Sequence, residues 1–324
     1  MHSKITQDGC GDYYNLLEKI MKIGNNVDKD RTGTGTVSLF GEQMRFNLEY
    51  GFPLVTGKFV SFRTIAAELL WMLSGSTNNE DLRKLNGTDR PTIWEEWSLP
   101  GGELGPIYGN QWRQWQGVGA EGIDQIKKLI SDLRLRPFSR RHIISAWNVD
   151  DLPDESAAPQ DNASYGLMAL APCHCLFQFY VRELESEERI ALANADEEWR
   201  RLNFNSYDNF GVPRFALSCQ LYMRSSDLFL GSPYNIASYA LLTHIIAQIV
   251  GMAPEQLIVT IGDSHIYRNH FDQVNELLSR DLNKHPASTL IFNRKITDID
   301  DISLDDFEVV GYQSHAAIAA PVAI

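Results

Sequence analysis

Three short motifs carry residue types that can act together: Ala171-Pro172-Cys173-His174, Arg224-Ser225-Ser226-Asp227 and Gly231-Ser232-Pro233-Tyr234-Asn235-Ile236. A cysteine thiolate attacks electron-poor carbon, a forked guanidinium beside a hydroxyl suits phosphate oxygens, and a neutral amide offers a donor and an acceptor to a base edge. Together they point to nucleotide chemistry. Each has a plainer reading alone: a lone Cys in an apolar stretch is usually a small buried hydrophobe, and Ser and Asp near Arg more often cap a loop. The functional reading gains from recurrence, because Arg31, Arg140, Arg141 and Arg224 all fall in short polar breaks beside apolar strand patterns.

Cys10, Cys173, Cys175 and Cys219 are too few to form a disulfide scaffold in 324 residues, and such thiols are expected to stay reduced. The Cys173-x-Cys175 spacing invites a metal reading, completed by His174, His265 or His270. Zinc normally takes four ligands in recognisable pairs, and with no second pair in the sequence no metal is expected. The period of a strand instead places Cys173 and Cys175 on one face.

A carboxylate supplies another clue. Ile65, Ala66, Ala67, Leu69, Leu70, Trp71, Met72 and Leu73 leave a helix around Glu68 almost no polar face. A buried carboxylate is costly unless partnered or used, so Glu68 either pairs with an Arg or relays protons in a water-lined cavity. The residues alone leave both readings open.

The elements that must position these groups are mixed. Helical spacing recurs in Tyr14, Leu17, Ile20 and Met21, and in Ile123, Ile126, Ile130 and Leu133 before the break at Pro137. Strand patterns occur at 37–40, 44–48, 142–149, 175–181, 217–223 and 257–261. Strands outnumber the helices between them, which predicts an α+β fold on a large mixed or mostly antiparallel sheet with packing helices. One domain is expected over residues 1–324, with surface insertions at about 150–166 and 183–215; the second is read as either a short amphipathic helix or a solvated excursion.

Composition sets limits. A hydrophobic share of 44% allows a substantial core, and a net charge of -13 argues against a surface for polyanions. Any bound phosphate should therefore belong to a small molecule held by local arginines. The N-terminal stretch lacks a signal-peptide pattern, and the apolar run from Ile236 to Met252 carries Tyr239, Thr243, His244 and Gln248, so a soluble, cytoplasmic protein without membrane contact is expected.

Further motifs join the Cys173 and Asn235 segments: Asp30-Arg31-Thr32-Gly33-Thr34-Gly35-Thr36, Glu68-Leu69-Leu70-Trp71, Ile93-Trp94-Glu95-Glu96-Trp97, Glu103-Leu104-Gly105-Pro106-Ile107-Tyr108-Gly109, Gly262-Asp263-Ser264-His265-Ile266-Tyr267 and the terminal Pro321-Val322-Ala323-Ile324. In this order, from about Tyr14 to the last residue, the chain resembles thymidylate synthases of the folate-dependent type. The resemblance implies that Cys173 adds to C6 of the uracil of dUMP, which makes C5 nucleophilic towards the one-carbon unit of 5,10-methylenetetrahydrofolate. It implies that Arg31, Arg224, Ser225 and the adjoining Ser226 line the phosphate, with Arg140 and Arg141 reaching over from the other subunit of a homodimer. Asn235 would read the uracil edge, and His265 and Tyr267 the deoxyribose hydroxyl.

The same resemblance implies that Asp227 bonds the pterin, that Trp94 borders the folate and the hydride path, and that the tail at Ala323 and Ile324 closes over the complex. Glu68 would relay protons through water, with Tyr108 and His174 in the surrounding hydrogen-bond network; the products would be dTMP and dihydrofolate. The chain departs from the family pattern at Met223, where a Gln is usual, at Gly57, where a Thr is usual, and at Ser61, which takes the place of a folate-contacting His. A deoxyuridylate hydroxymethylase, in which water replaces hydride, is the near alternative. A deoxycytidylate hydroxymethylase would favour an acid at the Asn235 position, and RNA binding as a regulator sits poorly with the acidic charge.

Overall fold

A computed structural model of the chain describes residues 6–28, 32–87, 91–117 and 122–322. In chain order the elements are α1 (Gly11–Ile23), β1 (Asn25–Val27), β2 (Thr36–Asn47), α2 (Phe62–Leu73), α3 (Asn79–Asn86), α4 (Tyr108–Arg113), α5 (Gln125–Leu135), β3 (Ile143–Ser145), α6 (Pro159–Ser164), β4 (His174–Glu183), α7 (Ser186–Ala195), β5 (Phe215–Asp227), α8 (Gly231–Val250), β6 (Ala253–Tyr267), α9 (Phe271–Ser279), β7 (Thr289–Phe292) and β8 (Phe307–Val310).

Six strands form one sheet in the order β1-β2-β6-β5-β4-β3, and β7 pairs with β8 apart from it. Within the large sheet β5 and β6 run parallel while the other neighbours are antiparallel. The crossover between the parallel pair is α8, whose residues are buried on nearly every side, from Ile236 to Ile249. A helix apolar all round belongs at the centre of the layers, and this one packs on β5 and β6. The fold is α+β on a mixed sheet, as the sequence pattern predicted.

The sheet has one covered and one open face. Along β4 the residues Cys175, Phe177, Phe179 and Val181 are buried, whereas Leu176 and Tyr180 point outward; along β5 Leu217, Cys219, Leu221 and Met223 are buried between exposed Gln220, Tyr222 and Arg224. This is the period of two expected of a strand with one face on a core.

Several local expectations change. The patterns at 37–40 and 44–48 belong to one strand, β2, because pairing with β6 continues from Thr36 to Asn47 past Gly41. The strand expected over 142–149 shrinks to Ile143–Ser145, after which a 3-10 turn forms at Val149–Asp151, its start capped by Asn148. That turn and α6 lie in the stretch read as a loop at about 150–166. Between 183 and 215 a helix does form. α7 starts with a reciprocal cap between Glu185 and Glu188, Glu188 pairs with Arg182 of β4 at 2.7 Å, and Ala193, Tyr207 and Val212 bury a small core of their own. No helix among the described residues is long and apolar enough to cross a membrane.

Candidate active site

Cys173 immediately precedes β4, half-buried at the C-terminal end of β5. Its carbonyl accepts the Arg224 N–H at 2.9 Å, and its own N–H donates to the Tyr108 hydroxyl at 2.8 Å. The Arg224 guanidinium is fixed by backbone oxygens: Nε donates to Pro172 O at 3.1 Å and Nη2 to Ala171 O at 3.0 Å. The same Nη2 lies 3.8 Å from Cys173 Sγ. A guanidinium held there favours thiolate over thiol, which is what a nucleophile needs. Cys175 takes the opposite character. It is buried, its thiol faces the Pro172 and Cys173 carbonyls, and burial pushes that thiol up. The pairing register shifts between His174 and Leu176, so the period that was to place both cysteines on one face does not extend back to Cys173.

Beside Cys173, the His174 ring packs against Tyr108 at 4.9 Å and Tyr239 at 5.5 Å. Burial pushes its pKa down to about 4, against a weaker opposing effect from the Asn235 amide, so the ring is neutral at physiological pH. Asn235 lies in the first turns of α8, and its Nδ2 donates to Met223 Sδ at 3.9 Å. Met223 thus offers a weak thioether acceptor where a Gln is usual.

The parallel register of β5 and β6 sets Ser225 opposite Asp263, Ser226 opposite Ser264 and Asp227 opposite His265. Ser225 Oγ comes within 3.4 Å of His265 Nδ1, and the His265 and Tyr267 rings are 5.0 Å apart. Gly262 allows this approach, since a Cβ there would sit 2.7 Å from Arg224 O. Ser226 turns inward and shares a 2.6 Å hydrogen bond with Ser232, both buried.

Glu68 joins this group of residues through Trp94. Trp94 Nε1 donates to Glu68 Oε1 at 2.7 Å, so the partner found for this carboxyl is an indole rather than a guanidinium. Desolvation of the carboxyl raises its pKa, and the indole hydrogen bond opposes that rise only in part. Trp94 packs on Trp71 at 5.6 Å and on Tyr108 at 6.2 Å, which connects Glu68 through aromatic contacts to the tyrosine that holds Cys173.

At the end of β5, opposite His265, Asp227 Oδ1 accepts the N–H groups of Phe229 at 2.9 Å and Leu230 at 3.1 Å. Buried Lys58 donates from Nζ to Phe229 O at 2.5 Å and sits 3.9 Å from the Phe229 ring centre. Desolvation pushes Lys58 down to about 8, with nearby Asp227 pulling the other way. Gly57 beside it has a steric reason: a Cβ would lie 2.8 Å from Leu277 Cδ1 and 2.9 Å from Leu282 Cδ2, so a Thr does not fit this packing. Ser61 caps α2, accepting from Thr64 N at 3.3 Å. The C-terminal tail straps this loop: the Tyr312 hydroxyl donates to Val55 O, His315 N donates to Thr56 O, and Arg280 Nη1 donates to both Gly57 O and Ala316 O at 2.7 Å.

A family model described as thymidylate synthase matches residues 11–324. The chain belongs to the thymidylate synthase family. Its members transfer a one-carbon unit to dUMP, with 5,10-methylenetetrahydrofolate as co-substrate, and they include hydroxymethylases alongside methyltransferases. On this thymidylate synthase fold the structure gathers Cys173, Tyr108, His174, Arg224, Asn235, Ser225, His265 and Tyr267, and Trp94 and Glu68 adjoin them.

Arg31, Ala323 and Ile324 lie outside the described residues. Arg140 and Arg141 are exposed before β3, where Ile143 opposes Gln178 and Ser145 opposes Leu176. At about 3.3 Å per residue Ile143 already lies roughly 16 Å along β4 from Cys173, and the two arginines precede it, too far to join Cys173 within one chain. Lys58 escaped the sequence reading although it carried a signal, a lone cation in the apolar run from Phe52 to Val60; His270 entered that reading only as a candidate metal ligand, and its contact with the tail had no signal in the sequence.

Proposed function

We propose that this enzyme forms dTMP and dihydrofolate from dUMP and 5,10-methylenetetrahydrofolate. The observation that carries the reading is the Arg224 guanidinium 3.8 Å from Cys173 Sγ while anchored on two backbone carbonyls. That arrangement favours the thiolate and leaves guanidinium hydrogens for a phosphate. The sulfur adds to C6 of the uracil, and the electron pair delivered to C5 forms the bond to the one-carbon unit. The C5 proton then leaves, tetrahydrofolate departs as the exocyclic methylene forms, and a hydride from the departing folate reduces that carbon while Cys173 is expelled. The folate loses two electrons in this exchange and becomes dihydrofolate.

The protein's part is positioning and water exclusion. Asn235 presents its amide to the uracil edge, with neutral His174 beside it. Ser225 joins Arg224 and Arg31 at the phosphate, and His265 and Tyr267 meet the sugar hydroxyl. Glu68, whose raised pKa lets it hold a proton, serves the O4 and C5 region through water. Asp227, one oxygen engaged by two amides, offers the other to the pterin, and Trp94 walls the hydride path while the tail, with Ala323, covers it.

A homodimer is part of the reading. The open sheet face exposes Leu176, Tyr180 and Tyr222, and the distance of Arg140 and Arg141 from their own Cys173 suits arginines that serve a second copy's phosphate. The need for a reduced thiolate suits the cytoplasm. Incubation with dUMP and 5,10-methylenetetrahydrofolate, followed by mass separation of the nucleotides, should give dTMP and dihydrofolate in equal amounts. Dominant 5-hydroxymethyl-dUMP with tetrahydrofolate would establish the hydroxymethylase instead.

A further inference from the structure

His270 is fully buried in the 3-10 turn Arg268–His270 that joins β6 to α9. Its Nε2 lies 2.8 Å from the carbonyl oxygen of Pro321 in the C-terminal tail. Its Nδ1 lies 3.8 Å from Asp227 Oδ1 and makes no hydrogen bond. A carbonyl only accepts, so Nε2 carries the hydrogen in this arrangement and Nδ1 is the edge turned to the carboxylate. The ring is fixed in place by Phe229 and Tyr267, each with its ring centre 5.6 Å away. One imidazole therefore touches both the carboxylate and the tail.

We propose that His270 is a positioning residue for the reductive step: it clasps the Pro321 carbonyl from the same ring that abuts Asp227. The seat of the pterin and the strand of chain that covers it are thereby held in a fixed relation. This rests on the synthase reading, in which Asp227 receives the pterin and the tail excludes water. Upstream, Tyr312, His315 and Arg280 tie the tail to the 55–60 loop; at Pro321 the tie is to the ring beside Asp227. His270 contacts neither substrate nor reacting atoms and acts through Asp227 and the tail. Loss of the Nε2 donor should loosen the last residues, weaken folate binding and let water reach the exocyclic methylene before hydride does.

The test compares His270→Phe, which keeps the ring packing and loses the donor, with His270→Gln, whose amide nitrogen can reach the Nε2 position. Two readouts are used: dTMP formed per tritium released from [5-³H]dUMP, and the rate at which carboxypeptidase removes the C-terminal residues from the substrate-free protein. For His270→Phe we expect tail release faster by roughly three- to ten-fold, the equilibrium weight of one hydrogen bond, a similar rise in the folate KM, and tritium release exceeding dTMP. The dUMP KM should stay unchanged, and His270→Gln should recover both readouts. Unchanged coupling, folate KM and tail release in His270→Phe would overturn the clasp. Should His270→Phe not fold, His270→Asn, whose amide is too short to reach Pro321, is set against His270→Gln on the same readouts, and equal behaviour of that pair overturns it. If the wild-type protein yields 5-hydroxymethyl-dUMP, the synthase reading has failed, and the carboxypeptidase comparison still judges the clasp.

Discussion

On the proposed nucleotide side Arg224, Ser225 and His265 take their places from the strands β5 and β6, as does Asp227 on the proposed folate side, whereas Lys58 and Ser61 on that side are placed by a loop and a helix cap. Ladder register is all-or-none, because a slip of one residue would send every side chain to the opposite face. The Ser225 and Asp227 pairings with β6 thus fix two site residues at once, while Ser226 between them turns inward. The folate side depends on individual bonds between distant segments, such as Arg280 to Gly57 O and His315 N to Thr56 O. A change far from the cleft should accordingly reach folate binding sooner than nucleotide binding.

The sharpest separation of the two sides is Cys173→Ser. The hydroxyl nearly matches the thiol in size but is a far weaker nucleophile at neutral pH, and the backbone bonds of residue 173 to Tyr108 and Arg224 do not involve sulfur. Turnover should fall at least about 10³-fold, as when other enzymes lose their nucleophile, while dUMP binding measured by calorimetry persists. Near-normal turnover would remove Cys173 from its role.

The unequal construction of the two sides also governs what could be read from sequence. Strand patterns and the Cys173, Arg224 and Asn235 motifs were legible because period and residue type survive in one dimension. The tail's clasp on His270 was not, since it pairs residues 51 positions apart through a backbone carbonyl that leaves no residue-type signature. Gly57 read as a departure until Leu277 and Leu282 were seen closing on it. Glu68 was legible as a carboxylate needing a partner, but Trp94 as that partner depended on the fold.

Glu68 joins the two sides, and Glu68→Gln should separate chemistry from stability. Loss of the proton relay should lower kcat by about 10²-fold or more. Stability should change in the opposite sense. Burial raises the folded-state pKa of Glu68 above its unfolded value near ~4.3, so the stability of the neutral form is complete below that value and is lost as pH rises through the folded pKa. Gln avoids that loss and can still accept from Trp94 Nε1. The variant should melt at a higher temperature than wild type at pH 8, with the gap closing towards pH 4. A gap that widens on acidification would contradict the raised pKa.

Whether the nucleotide side is complete in one chain is tested by subunit mixing. Arg140→Ala/Arg141→Ala protein and Cys173→Ala protein should each be inactive. After random exchange of equal amounts, half the dimers are mixed and carry one intact site of two, so about a quarter of wild-type activity should return. No recovery after verified exchange would place the two arginines elsewhere in function.

The smallest expected effect concerns Ser61, whose position suggests a folate contact and whose geometry shows a helix cap. Its Oγ accepts from Thr64 N at 3.3 Å and from Thr64 Oγ1 at 2.9 Å, and α2, which it caps, carries Glu68 at the end of its second turn. Ser61→Ala leaves an early N–H of α2 without its acceptor and should lower the unfolding free energy by about 1 kcal/mol in urea titration. If the hydroxyl serves the helix, kcat/KM for the folate should stay within about two-fold of wild type, because a frayed first turn shifts Glu68 little. A folate KM that climbs several-fold with stability unchanged would instead put Ser61 against the ligand. In that case the folate side would have a direct contact at the base of α2, and its dependence on loop and tail would be correspondingly weaker.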